Sequence, residues 1–457
     1  MYKRLYRAGI AAYAVLFILS VLFYKERTMF LDMAYSLFFI IKRNYFAIQN
    51  FRYVAILTQV FPLVASRMGL SLNVVAFFYS SGFIFYYFGC YFICGTILKQ
   101  YRFALVILLF NILFVSHTFY WIQSELPQSI VLLIVIMALM SYRKINELNA
   151  LMIAIIFLGL MMIQFSHPLM FFPVTYVMLF FLFREEQVIE RRMIYATAIF
   201  FYALIQVKKM VFNVYYDIVA MGNSGNVLKR FPHYFNLYSN KRFLLDCINH
   251  YYWIPILSAA IVWLYAKVKE WKKLALFVCF TGGYLLLINV SYPGKQVADF
   301  YMENLYLPVA IFIALPFVFD IIPVLESKKI ALPVLVIILL TGCIRIFLAH
   351  TPYSNRLTWE RNLVNEYRDK KIVIATAKTP IDTVIMAWGT PYEIWMLSTI
   401  ENGRTASVIV YDSAHQINDA AQYNKQLLTT WGAIPYDSLP KRYFKLEDTI
   451  STYTIAH

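Results

Sequence analysis

Asp32 is the sharpest chemical feature of the sequence. It sits in Phe30–Ile41 (FLDMAYSLFFII), a run that is apolar except for Asp32 and Ser36. At about 100° per residue, a helix there puts Asp32, Ser36 and Arg43 on one face. A carboxylate pressed against a membrane surface is poorly solvated, which raises its pKa and suits it to proton abstraction. The bland alternative is a helix cap or a solvated face residue. Glu125 is the second acid, in Trp121–Gln128 (WIQSELPQ). Its structural alternative is concrete. Ser124 caps the next helix, while Glu125 and Pro127 fill a first turn that favours an anion and a fixed φ.

Other segments carry weaker signals. His167 precedes Pro168 in QFSHPL, at the junction of two apolar runs. A lone histidine there is structural more often than functional. Ser291–Pro308 (SYPGKQVADFYMENLYLP) is the richest short loop. Lys295 is a candidate phosphate ligand, and Tyr301, Glu303, Asn304 and Tyr306 lead into the next apolar run. Polar groups at that depth need a partner or a water-filled cavity. The longer segment 213–250 mixes Tyr215, Tyr216, Tyr234 and Tyr238 with Lys229, Arg230, His233, Lys241 and Arg242. Interfacial anchoring explains such aromatics, and sugar stacking is the alternative. The five cysteines have neither disulfide nor zinc-type spacing; Cys90 and Cys94 share a helix face, as packing residues do. No glycine-rich phosphate loop occurs.

The elements that must position these residues follow from composition. Of 457 residues, 61% are hydrophobic and 14% charged, against roughly 45–50% and 25% in soluble domains. Soluble-enzyme, disordered and collagen-like classes are excluded. A span needs about 20 apolar residues. Eleven runs qualify: 7–24, 71–98, 103–121, 126–141, 150–166, 168–183, 193–212, 251–266, 274–290, 304–325 and 331–350. The first follows Lys3, Arg4 and Arg7 and reads as a retained signal anchor. The expected class is a mainly α polytopic membrane helix bundle with outer juxtamembrane helices and a small C-terminal α/β domain. Residues 1–350 form the membrane part and 351–457 the tail.

Basic residues bias the short loops, which places the N-terminus inside and the tail outside. The inner segments hold Lys99/Arg102, Arg143/Lys144, Arg184/Arg191/Arg192, Lys267–Lys273 and Lys328/Lys329; the short outer loops hold only Lys295. The outward carboxylates of the membrane part are then Glu26, Asp32, Glu125, Asp217, Asp246, Asp299 and Glu303. Residues 25–70 form a long outer loop. Helix 30–41 is expected to lie in the interface; residues 51–69 form a second such helix or a twelfth span, and Arg52, Gln59 and Arg67 favour the interface. The net charge of +16 falls wholly on residues 1–350, because the tail has 11 basic and 11 acidic residues. Lipid phosphate suits that excess. Nucleic acid does not, since the basic residues punctuate apolar spans and form no patch. In the tail, 357–370 and 382–398 read as helices, the second broken near Gly389–Pro391. Residues 372–376, 407–411, 442–447 and 452–455 read as strands.

The signal anchor, the early Asp of MFLDMAYSLFFIIKRN, the R-x6-Q-x2-P-L stretch from Arg52 to Leu63, Gly69-Leu70-Ser71 opening a span, and Ser-Glu in FYWIQSELPQS together resemble the GT-C glycosyltransferases. These polytopic enzymes use polyprenyl-phosphate-linked sugars and include aminoarabinose-transferring and protein-mannosylating members. The resemblance spans residues 1–350 as architecture. It implies an inverting transfer with Asp32 as the base or acceptor-orienting carboxylate and Glu125 as the second acid. It implies basic outer residues on the lipid phosphate. A basic residue usually heads the late span of such enzymes; Lys295 or Arg230 stands in here. With Arg52, His167, Tyr301 and Glu303 these are the expected substrate-binding residues.

Such an enzyme needs no nucleotide, because the leaving group already lies at the interface. It must deprotonate a hydroxyl or amine, neutralise the departing phosphate and admit a prenyl chain. The expected partners are the lipid-linked donor, a lipid, glycan or protein acceptor, and membrane lipid, in a bacterial inner membrane. No cofactor is implied, and divalent metal dependence stays open. A transporter or flippase is the first alternative; against it, Asp320 is the only acid within a span and no repeat occurs. A non-enzymatic envelope assembly protein is the second. The tail is expected to cap the outer cavity with Tyr392, Glu393 and Trp395.

Overall fold

The structure is a computed structural model. It describes residues 2–456 except 123, 213–228, 231, 296, 369, 412–423 and 448. Tyr215, Tyr216 and Asp217 therefore lie outside the described residues. The chain is mainly helical, with a few short strands near its C-terminus.

Among the described residues, seven helices are long and apolar enough to cross a membrane, or eight if a bent pair, Tyr238–Asn249 and Trp253–Lys267, is one span. That is the composition of a multi-pass membrane protein. Three of the eleven expected spans appear only as shorter apolar helices, Tyr101–Leu113, Ala150–Gln164 and Pro168–Leu182, and the run 251–266 is the far half of the bent pair. Run 103–121 shows why. It is interrupted by the polar Ser116, His117 and Thr118; the helix stops at Leu113 and the chain turns through a 3-10 helix at His117–Phe119. Every residue from Phe103 to Leu113 is buried. That explains a helix with no polar stripe.

Helix α1 (Tyr2–Leu22) runs from one end of the bundle to the other. At its start, Tyr6 stacks on Tyr91 and bonds Thr96. At its far end a short helix α2 (Tyr24–Thr28) leads into α3 (Leu31–Arg43). A helix α4 (Ile56–Arg67) then forms a tight hairpin with α5 (Leu72–Phe92). Gly82 permits the close approach, since a Cβ there would meet the Phe61 ring at 2.7 Å. Gln59 is buried because it donates to and accepts from the Ala47 backbone, at 3.1 and 2.8 Å.

Residues 30–41 do form a helix, but it does not lie bare at an interface. Leu31, Met33, Ala34, Leu37, Phe38, Ile40 and Ile41 are all buried. The tail helix Thr390–Asn402 packs on α3, with Tyr392 against Tyr35 and Phe38 and Trp395 against Phe38. Cover on several sides is the reason that α3 is apolar nearly all round.

The tail lies at the same end of the bundle as residues 24–70. Lys25 pairs with Glu401 at 2.7 Å, Ser354 bonds Glu26 at 3.0 Å, and Tyr443 bonds the Leu70 carbonyl at 3.0 Å. Its helix Thr351–Glu366 begins earlier than expected. Strands β1 (Lys371–Ala375), β2 (Ser407–Tyr411) and β5 (Thr454–Ile455) form a parallel sheet in the order β2-β1-β5. Strands β3 (Gln426–Thr429) and β4 (Gly432–Pro435) form an antiparallel hairpin. Residues 442–447, expected as a strand, are turn and irregular chain. Tyr443 and Phe444 are buried there and fix that segment by packing rather than pairing.

Candidate functional site

Asp32 occupies the first turn of α3, where the helix dipole favours a negative charge. Its Oδ2 accepts from Trp121 Nε1 at 3.0 Å. Glu125 opens the helix Glu125–Tyr142, and Ser124 holds the N-cap position without a capping bond from its side chain. The Glu125 carboxylate turns instead to Arg52, with Oε2 at 3.0 Å from Nη1. The two acids sense each other. Burial pushes the Asp32 carboxyl up to about 6, against the bond from Trp121; the Glu125 charge adds to the rise and Arg52 opposes it. Asp32 nevertheless keeps partial exposure. Its carboxyl is crowded enough to be destabilised as an anion.

Arg52 joins this pair to His167. The imidazole lies well below its ordinary range, through burial and then through the charges of Arg52 and Lys208. It is neutral, and its Nδ1 accepts from the Leu169 amide at 3.2 Å, starting the 3-10 turn Pro168–Met170. Lys208, at the end of the helix Arg191–Val211, donates to the Gln164 carbonyl at 3.2 Å. Asp32, Glu125, Arg52 and His167, expected from the sequence, thus meet at one place, joined by Trp121 and Lys208, which were not singled out. Trp121 reads in sequence as an interfacial aromatic. Only its indole N–H, a donor that needs a buried acceptor, hints otherwise.

The other expected residues lie apart. Lys295 is exposed, with its ammonium 5.3 Å from the Tyr238 ring. It lines a cavity of about 90 Å³ with Arg242, Asp246, His250 and Asp299. Arg242 there lies 3.2 Å from Asp246 and 2.9 Å from Asp299. Arg230 is half-buried, and its carbonyl accepts from the His233 amide. Tyr301 stands between the two regions, its ring 6.2 Å from Trp121 and 5.8 Å from Tyr292 of the cavity wall.

Glu303 is saturated. Its carboxylate accepts from the amides of Ser116, His117 and Thr118 at 2.7–2.9 Å, from the Thr118 hydroxyl, and from Tyr251. It anchors the turn that ends the short buried helix, and it is a poor substrate ligand. Arg345, an unremarked cation in the last span, closes the same corner by donating to the carbonyls of Ile112, Val115 and His250.

A single cavity lined by both Asp32 and Glu125 was expected. Neither residue lines the cavity at Lys295, nor the apolar slot of about 40 Å³ bordered by Trp121 and Pro127, nor one of about 290 Å³ at the N-terminal end. The two acids are covered by the side chains they bond, Trp121 and Arg52. Among the described residues, no group of three or more His, Cys, Asp or Glu converges as a metal site. Compared with known proteins, the chain matches no family model, no curated protein and no solved structure.

Proposed function

We propose that this chain is a membrane glycosyltransferase that moves a sugar from a polyprenyl-phosphate donor to an acceptor on the outer face of a bacterial inner membrane. In this reading the eleven apolar helices all cross, the three short ones included, with the N-terminus inside and the tail outside. Asp32 is the base. The observation that carries the reading is its carboxyl, pushed up to about 6 by burial, bonded to Trp121 and set beside the Glu125–Arg52 pair. A base with a value near the working pH combines a large deprotonated fraction with real proton affinity. Glu125 holds Arg52, and Arg52 with Lys208 supplies the positive charge that the departing phosphate needs. This differs from a phosphate at Lys295, whose neighbour Arg242 is already offset by Asp246 and Asp299.

The transporter reading gains little. Asp320, the acid within a span, pairs with Arg184 at 2.6 Å and bonds Tyr265 at 2.7 Å, so its charge is already answered.

Lipid extracts of a deletion strain test the proposal. The strain should accumulate a polyprenyl-phosphate sugar by mass spectrometry. Wild-type protein should clear it, and Asp32→Asn, expressed at the same level, should not. Clearance by Asp32→Asn removes the base; absence of any accumulated lipid-linked sugar removes the enzyme class.

A further inference from the structure

We propose that Glu393 of the tail is a positioning residue for Asp32. The inference rests on the reading of Asp32 as a base. The chain enters α3 in an unusual way. Phe30 is extended, and Leu31, immediately before Asp32, adopts φ +41°, a left-handed conformation that a leucine rarely takes. Such a residue persists only where its surroundings over-determine it. Here they do. The Leu31 amide donates to Glu393 Oε1 at 2.5 Å. Gly389 lies against the same residue: a Cβ there would fall 2.8 Å from Leu31 Cα and 2.5 Å from Glu393 Oε1. Only glycine lets the tail approach so closely.

Glu393 is itself held. Its Oε2 accepts from Arg356 at 2.6 and 2.9 Å, and Arg356 also donates to the Met386 carbonyl at 3.2 Å and faces Glu360 at 3.3 Å. Arg356, Glu360 and Glu393 are all buried. A buried pair of this kind specifies geometry more than it stabilises, because desolvation offsets most of the attraction. The tail thus presents a fixed anion to the start of the Asp32 helix, where the dipole favours one. Releasing it lets Leu31 relax to ordinary dihedrals. That turns the first turn of α3 and draws Asp32 away from Trp121.

The groups facing Asp32 are Trp121 and Glu125 from the helix Glu125–Tyr142 and its approach, Arg52 from the loop before α4, Tyr79 from α5 and Tyr35 from α3 itself. Of these, the Trp121 bond holds the Asp32 carboxyl down. Losing it must raise the pH at which the base becomes available.

The test is the pH dependence of turnover in membranes, with the polyprenyl-phosphate sugar purified from the deletion strain as donor. Glu393→Gln removes the charge. Glu393→Asp keeps the charge for Arg356 but withdraws it from Leu31, and serves if the first variant does not fold. Both should move the acid limb up by about one pH unit, as Trp121→Phe should. Hydrogen exchange should show lost protection at the amides of residues 31–35. A lowered rate with the limb unmoved, while Trp121→Phe shifts it, means a purely structural Glu393 and overturns the inference. Full turnover by Asp32→Asn instead overturns the reading of Asp32 itself.

Discussion

Asp32 and Glu303 are both carboxylates near the tail-facing end of the bundle, and they are treated in opposite ways. Glu303 is buried and accepts from three backbone amides and two hydroxyls. Asp32 is only partly buried as a residue, its carboxylate takes a bond from the Trp121 indole and one from its own backbone, and Glu125 lies near enough to disfavour its charge. A fully answered carboxylate holds structure; it has no lone pair to spare. A sparsely answered one has a cost built into its anion, and that cost is what a base uses. The same contrast separates the cations. Arg345 is spent on carbonyls, whereas Arg52 pairs with the Glu125 carboxylate, an ion pair that a phosphate would replace under the proposed function.

Glu303→Gln is the largest expected break in this contrast. Its amide group would face donors, leaving several buried N–H and O–H groups unanswered at about 1–3 kcal/mol each. Thermal unfolding in detergent should show a Tm lowered by many degrees, or no folded protein. Asp32→Asn should hold or raise Tm at pH 7.5. The folded value of Asp32 lies above its ordinary one, so folding takes up a proton between roughly pH 4 and 6, and that contribution is lost as the pH rises through 6. Equal losses of Tm in the two variants would erase the distinction between them.

Trp121→Phe comes next. It removes the bond that lowers the Asp32 carboxyl and orients it, and should reduce turnover at pH 6 about tenfold, with partial recovery at pH 8. No recovery at high pH would mean that packing, not protonation, is what the indole supplies. Glu125→Gln should cost a similar or smaller factor in turnover and about 1 kcal/mol of stability, since Arg52 loses its ion pair. Lys295→Ala is the smallest effect expected, within about threefold in turnover, because Lys295 is exposed and distant from the ion pair at Arg52. A loss beyond tenfold would return the phosphate to the Lys295 cavity.

The helices were legible because apolar runs leave few alternatives, and α3 with its Asp was legible by periodicity. Helix length was not. Residues 114–121 carry a polar trio, Ser116–Thr118, between apolar and aromatic neighbours, which leaves the stop at Leu113 undecided; what holds the turn is Glu303, about 190 positions away in sequence, accepting from those three amides. The cover over α3 was hidden for a similar reason. An apolar helix reads the same whether lipid or a tail helix faces it. In the site, Asp32, Glu125, Arg52 and His167 were legible as types suited to the chemistry. That Arg52 belongs with Glu125 was not, because the two are joined only by the fold. Trp121 and Lys208 were missed because an aromatic and a lysine near a membrane surface have ordinary anchoring roles.

The pH dependence of turnover in wild-type membranes bears most directly on Asp32 as the base. With saturating donor purified from the deletion strain, the rate should rise tenfold per pH unit below pH 6, level off above it, and vanish at every pH in Asp32→Asn. A rate that stays flat between pH 4.5 and 8, or a limb near 6 that survives in Asp32→Asn, would contradict it.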